Sequence, residues 1–243
     1  MLGFILGMVV GCAQPVMTSV NTKLSERLRS PLLTSCASFV LALLLTSAVL
    51  IVLQGNLHVP LGVIAKEPWW IWTGGICGDI IVIFSMICLP KLGSFETVVF
   101  LVLGQIVSGL MIDNFGMFGS AVIPMSVLRA VGAVLVFASV LATSEKIESE
   151  GREKAHGVNF YRFLDFIAGI ACSVQIAVNG RLGEVAGLSF RATIISLSTA
   201  LLGAVTIIIF LRVIRGPGSV IDTSLPKISG RWWMWTGGIC SFT

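Results

Sequence analysis

Apolar residues fall in long uninterrupted blocks along this chain. They neither alternate as in a strand nor trace one face of a helix. Each block is closed by Pro, Gly or charged residues, and each approaches the roughly 20 residues a helix needs to cross a bilayer. The blocks predict helices over 3–20, 32–53, 69–89, 94–112, 125–143, 162–181 and 191–211, with an apolar start of an eighth over 232–243. Twelve residues at 1.5 Å each reach only about 18 Å, short of the roughly 30 Å hydrocarbon core, so the eighth segment does not span. Between the fifth and sixth blocks, SEKIESEGREKAHGVN at 144–159 carries seven charges in sixteen positions and reads as a solvated connector. The apolar N-terminus has no Lys or Arg ahead of it, which a secretory signal requires. It reads as the first membrane helix, with Gly3, Gly7 and Gly11 spaced for close helix packing.

Composition agrees. The chain is 56% hydrophobic and only 12% charged, with a mean hydropathy of +0.97. Soluble domains carry about 25% charge, so the expected class is an all-α multi-pass membrane protein whose first partner is the lipid bilayer. The six cysteines (12, 36, 77, 88, 172 and 240) lie in apolar stretches, and His58 and His156 lie in loops, so no metal-ligand spacing arises. The net charge of +4 needs no nucleic-acid partner, because its placement follows membrane orientation.

The segment WWIWTGGIC at 69–77 returns as WWMWTGGIC at 232–240, with eight of nine letters the same. It belongs to a longer repeat: VNTKL at 20–24 matches VNGRL at 178–182, an offset of 158, and Gly11 matches Gly169 at that same offset. The Trp segments are 163 apart, which makes the preceding loop five residues longer in the second copy. The expected organisation is a first five-helix unit at 1–143, a charged cytoplasmic linker at 144–160, and a second, incomplete unit at 161–243. By the first unit's length, about sixty further residues are expected after Thr243, with seven complete membrane helices and a truncated eighth before it.

Positive residues collect on the cytoplasmic side. With the N-terminus outside, twelve of the 16 Lys and Arg fall inside, and only Lys66, Arg129, Arg181 and Arg191 fall outside. An odd number of helices per unit inserts the second unit upside down. Its charge bias is reversed to match, the signature of the inverted repeats with which many transporters build alternating access.

Polar groups deep in a membrane are expensive, and each is a candidate for function. Asp79 lies ten residues past Trp69, about 15 Å along the helix. An isolated carboxylate at that depth costs several kcal/mol unless paired or protonated, so it is either a proton carrier or a protonated structural group. Gln14, Gln105 and Gln175 lie at similar depths and either line a polar cavity or bond between helices. Glu96 and Arg129 stand near helix starts, where a long side chain can snorkel to the interface; Glu96 is a second coupling candidate. Trp69, Trp70, Trp232 and Trp233 suit an aromatic belt. The glycines that follow, Gly74 and Gly75 with their copies Gly237 and Gly238, permit close packing or a local helix break. Asn21 and Asn179, equivalent by the repeat, are expected to cap helix ends or line a cavity mouth. No nucleophile–base pair, phosphate loop or acidic cluster is present to support enzymatic chemistry, so no cofactor or metal is expected.

These residues together resemble the YdcZ-like branch of the drug/metabolite transporter superfamily, a set of bacterial inner-membrane exporters. In the first unit the similarity rests on GCAQPVMTSVN, the SF at 38–39, WWIWTGG, PKLG at 90–93, GQ at 104–105, DNFG at 113–116 and RAVG at 129–132. In the second it rests on VNGRL and WWMWTGG. The resemblance implies a five-helix unit that occurs alone, as paired opposite chains or as a fused inverted tandem, and this chain looks like the fused form. It also implies export of small metabolites or drugs by alternating access, often coupled to protons. Asp79 and Glu96 depart from it, since small or apolar residues are implied at both places. Asp165 stands where the first unit has Gly7, and Cys172 where it has Gln14. The expected function is therefore a secondary transporter of an unidentified small molecule in the inner membrane. The alternatives are a non-transporting subunit of a homo- or hetero-assembly and, more distantly, a membrane enzyme.

Overall fold

The computed structural model describes residues 2–56, 58, 60–149 and 157–215. Among these every regular element is a helix. Seven long helices account for most of it: α1 (Leu2–Leu28), α2 (Pro31–Gln54), α4 (Gly74–Leu92), α5 (Ser94–Phe115), α6 (Val127–Ser149), α7 (Val158–Ala186) and α8 (Ser189–Arg215). A four-residue helix, α3 (Leu61–Ile64), and a 3₁₀ turn at Trp69–Trp72 lead into α4. Five of the long helices, α2, α4, α5, α7 and the Ser189–Phe210 part of α8, are long and apolar enough to cross a membrane. The apolar part of α6, Val127–Val140, is shorter. The segment 232–243, with Trp232, Trp233, Gly237 and Gly238, lies outside the described residues.

Hydropathy locates the membrane-facing part of each helix, not its ends. The first helix runs on to Leu28 and α7 to Ala186, past the points where the apolar blocks stop. The extension in α1, NTKLSERL, is rich in Lys, Leu, Glu and Arg, which favour helix whatever their polarity. Asn21 and Asn179 are therefore interior helical residues, not caps. The join between α4 and α5 is abrupt, because Gly93 adopts φ 80° and ψ 165°, a conformation that residues with a Cβ avoid.

The packing centre is α7, which lies chiefly against α5 and α4, with α8 at its side. A Cβ on Gly104 of α5 would run into the Phe166 carbonyl oxygen, and one on Gly169 of α7 into the Leu101 carbonyl oxygen. The two backbones thus meet directly, as small residues allow in membrane bundles. The Ser173 hydroxyl one turn on donates to the Gln105 carbonyl at 2.8 Å. A second junction joins four helices through Met17 of α1, Phe39 and Ala42 of α2, Val82 and Met86 of α4, and Leu197 and Ala200 of α8. At one end Ile64, Ile71, Leu182 and Ile195 pack together with Trp70 and Trp72 against them. Trp70 also meets the Phe118 ring edge-on at 5.5 Å, whereas Trp69 is 79% exposed. The outer face of α6, including Val127 and Leu128, is exposed and suits lipid.

The backbone contact of α5 with α7 predicts an asymmetric response to added bulk. Gly169→Leu should destabilise the fold by about 1–3 kcal/mol, the usual cost of overpacking. Gly132→Leu, on the open side of α6, should leave it unchanged. Thermal unfolding of the detergent-purified variants measures both.

Candidate functional site

The first half of α4 is a glycine track. The Trp segment forms a 3₁₀ turn closed by the Thr73 hydroxyl, which donates to the Trp70 carbonyl at 2.7 Å, and the α-helix starts at Gly74. The TGG step is thus both a local change of helix type and a packing surface. Side chains on Gly74 would meet Asn179 and the Ser196 hydroxyl; on Gly75, they would meet Thr199 and the α8 backbone. On Gly78, a Cβ would stand 3.2 Å from Nε2 of Gln175. Gln175 is thus seated against α4, half-buried between helices.

Asp79 follows directly and is 3% exposed. A Cβ on Gly203 of α8 would touch its Oδ2, so that glycine makes room for the carboxyl, and the Cys36 thiol of α2 is within electrostatic reach. Neither carboxyl oxygen of Asp79 has a hydrogen-bond partner among the described residues.

Glu96 does not snorkel. It is buried in the first turn of α5 and accepts from Nε of Arg162 at 2.6 Å, with the second guanidinium nitrogen 2.5 Å from the same oxygen. The Arg162 guanidinium also lies 5.6 Å from the centre of the Phe100 ring and donates to Asn159. A buried carboxylate is tolerable in apolar surroundings when a cation of good geometry faces it, and Arg162 supplies that from α7. Arg129 instead pairs with Asp113 at 3.1 Å, near the surface.

A cavity of about 280 Å³ opens between α1, α4, α5 and α7. Its walls are mainly aliphatic, with polar groups from Thr18, Ser85, Thr97 and Gln105, and it reaches Gly11 and Cys172. Of the residues singled out in the sequence, Gln105 lines this cavity. Asp79 stands at the α4–α8 contact and Gln175 at the α4–α7 contact, Glu96 is committed to Arg162, and the Gln14 side chain lies outside those described. Thr18 lies within GCAQPVMTSVN, whereas Ser85 and Thr97 belong to no motif, and only the fold brings the three together.

Asn21 and Asn179 have the same job in two places. The Ser38 hydroxyl donates to Oδ1 of Asn21 at 3.0 Å, and the Ser196 hydroxyl donates to Oδ1 of Asn179 at 2.5 Å. Both serines are 17 residues beyond their asparagine, and the two bonds are related by the same offset of 158 as VNTKL and VNGRL. Each bond ties a helix to the next, α1 to α2 and α7 to α8. Ser38 and Ser196 were legible from that offset, had it been applied beyond the conspicuous motifs.

Residues 2–142 and 160–243 match the family model described as "Putative inner membrane exporter, YdcZ". No curated protein and no solved structure matches the chain significantly.

The paired bonds predict matched losses. Ser38→Ala and Ser196→Ala should each cost about 0.6 kcal/mol, typical of a hydrogen bond between membrane helices. The double variant should show their sum, because the two sites share no partner. Unfolding equilibria in mixed micelles provide the comparison.

Proposed function

The chain belongs to the YdcZ family of inner membrane exporters, and from that premise we propose that it is a secondary transporter of a small metabolite or drug working by alternating access. The observation that carries this reading is the cavity. It is bounded by helices from both sides of the charged linker and has apolar walls with a few hydroxyls and the Gln105 amide. Its volume of about 280 Å³ approaches the lower end of small-molecule sites, about 300 Å³. Residues 1–143 are read as the first five-helix unit, 144–160 as its linker, and 161–243 as the inverted second unit. The repeated Asn–Ser bonds support that division, since they recur at one fixed offset on either side of the linker.

The same reading puts the N-terminus outside. Three of the four cations then left outside are neutralised or anchored: Arg129 on Asp113, Arg181 on Glu67 and Glu184, and Arg191 on Gln54. In this scheme Asp79 carries the coupling proton. Its carboxyl is buried between α4 and α8 with no hydrogen-bond partner among the described residues to hold it as an ion, so in this scheme ionisation needs the two helices to part. Glu96, already matched by Arg162, is subsidiary. A second reading, a non-transporting subunit that docks on a partner chain, is favoured by one feature: among the described residues nothing lies within 4 Å of a Cβ on Gly11, at the edge of the cavity, whereas its repeat equivalent Gly169 is packed against α5.

These readings separate experimentally. In nanodiscs, a panel of small metabolites and drugs should contain a compound that raises the melting temperature, and Gln105→Leu should weaken its binding about tenfold, equivalent to about 1.4 kcal/mol. Asp79→Asn should fold normally and lose proton-driven flux in proteoliposomes. Flux with an unaltered pH profile would remove Asp79 from the mechanism. Absence of any ligand-induced shift, together with stability only alongside a second polypeptide, would favour the subunit.

A further inference from the structure

Asp165 is the most completely buried acid in the described structure, with 0% of its surface exposed. It lies on the face of α7 that also carries Gly169 and Cys172, four and seven residues on, so the three stack along one side of the helix. Gly169 is the residue pressed against the α5 backbone, and Cys172 reaches the cavity. Asp165 therefore sits at the head of the α5–α7 seam whose other end is a cavity wall. Across the seam it is flanked by the Thr97 hydroxyl of α5 and the Cys88 thiol of α4. Thr97 and Cys88 are close enough to interact with the carboxyl, but among the described residues neither carboxyl oxygen, nor the Thr97 hydroxyl, has a hydrogen bond of full geometry. Cys88 makes its own bond to the Tyr161 carbonyl.

Few titratable or charged groups stand at this end of the seam. On α4 they are the Cys88 thiol and Lys91, exposed at the helix end, with Cys77 and Asp79 two to three turns away. On α5 there is Glu96, with Asp113 at the opposite end. On α7 Tyr161 and Arg162 precede Asp165 by about one turn, with Cys172, Arg181 and Glu184 further on. Arg162 is committed to Glu96 through two of its nitrogens. A lone carboxylate in such surroundings costs several kcal/mol, whereas a carboxylic acid does not carry that cost.

We propose that Asp165 is a protonation site that latches α7 to α5 beside the cavity. The protonated acid is compatible with the tight seam described here. When the O–H bond breaks, the proton passes to water entering from the cavity past Thr97, and the resulting carboxylate needs water or Arg162, which the closed seam does not offer. The seam then loosens at Gly104–Gly169, and the cavity wall formed by Cys172 becomes accessible. Protonation here is distinct from that at Asp79, which lies against α8 and Cys36, away from this seam. Coupling of the latch to solute movement rests on the transporter reading; the protonation itself does not.

The test uses the full chain in nanodiscs and needs no substrate. Dicyclohexylcarbodiimide attacks protonated carboxyls in apolar surroundings, and mass spectrometry resolves the peptides holding Asp165 and Asp79. Labelling of Asp165 in the wild type should be strong at acidic pH and fall as the pH is raised. In a background with the other five cysteines replaced by Ala, maleimide capture of Cys172 should accelerate at alkaline pH by about tenfold more with Asp165 than with Asp165→Asn. The Asn variant corrects for the thiol's own ionisation. An Asp165 that resists the carbodiimide at every pH while Asp79 reacts, or identical pH profiles for Cys172 in the two proteins, would overturn the proposal. Should the Asn variant fail to fold, the wild-type labelling profile decides alone. Neither result depends on whether the chain carries any solute.

Discussion

The direct backbone contact of α5 with α7 at Gly104 and Gly169 sets the geometry of everything near the cavity. Two helices this close leave no freedom in axial register, because each carbonyl sits where the other helix has no Cβ. That register puts Ser173 on the Gln105 carbonyl, turns the Gln105 side chain to the cavity and sets Asp165 against Thr97. It also aligns Arg162 with Glu96, so the buried ion pair follows from the packing of the glycines further along. In lipid, burial of apolar surface gives little drive for helices to associate, and close packing and polar contacts must do it. Here both act on one seam.

Much of the architecture was legible from the blocks of apolar residues, since a bilayer demands helices of a minimum length and tolerates few charges within them. The number and order of the long helices follow from that alone. Their ends did not, because good helix-formers such as those in NTKLSERL continue the helix after its hydropathy falls. Asn21 and Asn179 illustrate the consequence: taken as end residues, they are in fact interior and bonded to serines 17 positions away. The partner of Glu96 was not legible either. Nothing local links it to Arg162, 66 residues later, and only the packing of α7 on α5 joins them. Asp165 was visible as a difference between the two copies, but its significance depends on which helix it faces, which no hydropathy pattern records.

The two Asn–Ser bonds give the bundle a grain. The helices they connect are sequence neighbours, so each bond strengthens a hairpin rather than the contact between hairpins. Between hairpins, α4 and α5 meet α7 through glycines together with the Ser173–Gln105 and Cys88–Tyr161 hydrogen bonds and the Glu96–Arg162 ion pair. Both levels of the bundle are therefore tied by polar contacts, and the cavity is walled largely by the most extensively packed helices.

The pairing of Glu96 with Arg162 also bears on how the protein is made. At about 5–20 residues per second, the 66 residues between them take roughly 3–13 seconds to synthesise. Throughout that interval Glu96 has entered or approached the membrane with its eventual counter-ion still unmade, and the glycine track of α4 has nothing to pack against. The nascent first half therefore depends on the insertion machinery, or on remaining near the interface, until α7 arrives. Early in its life the chain is an exposed acid waiting for its cation, and cellular quality control has those seconds in which to recognise it.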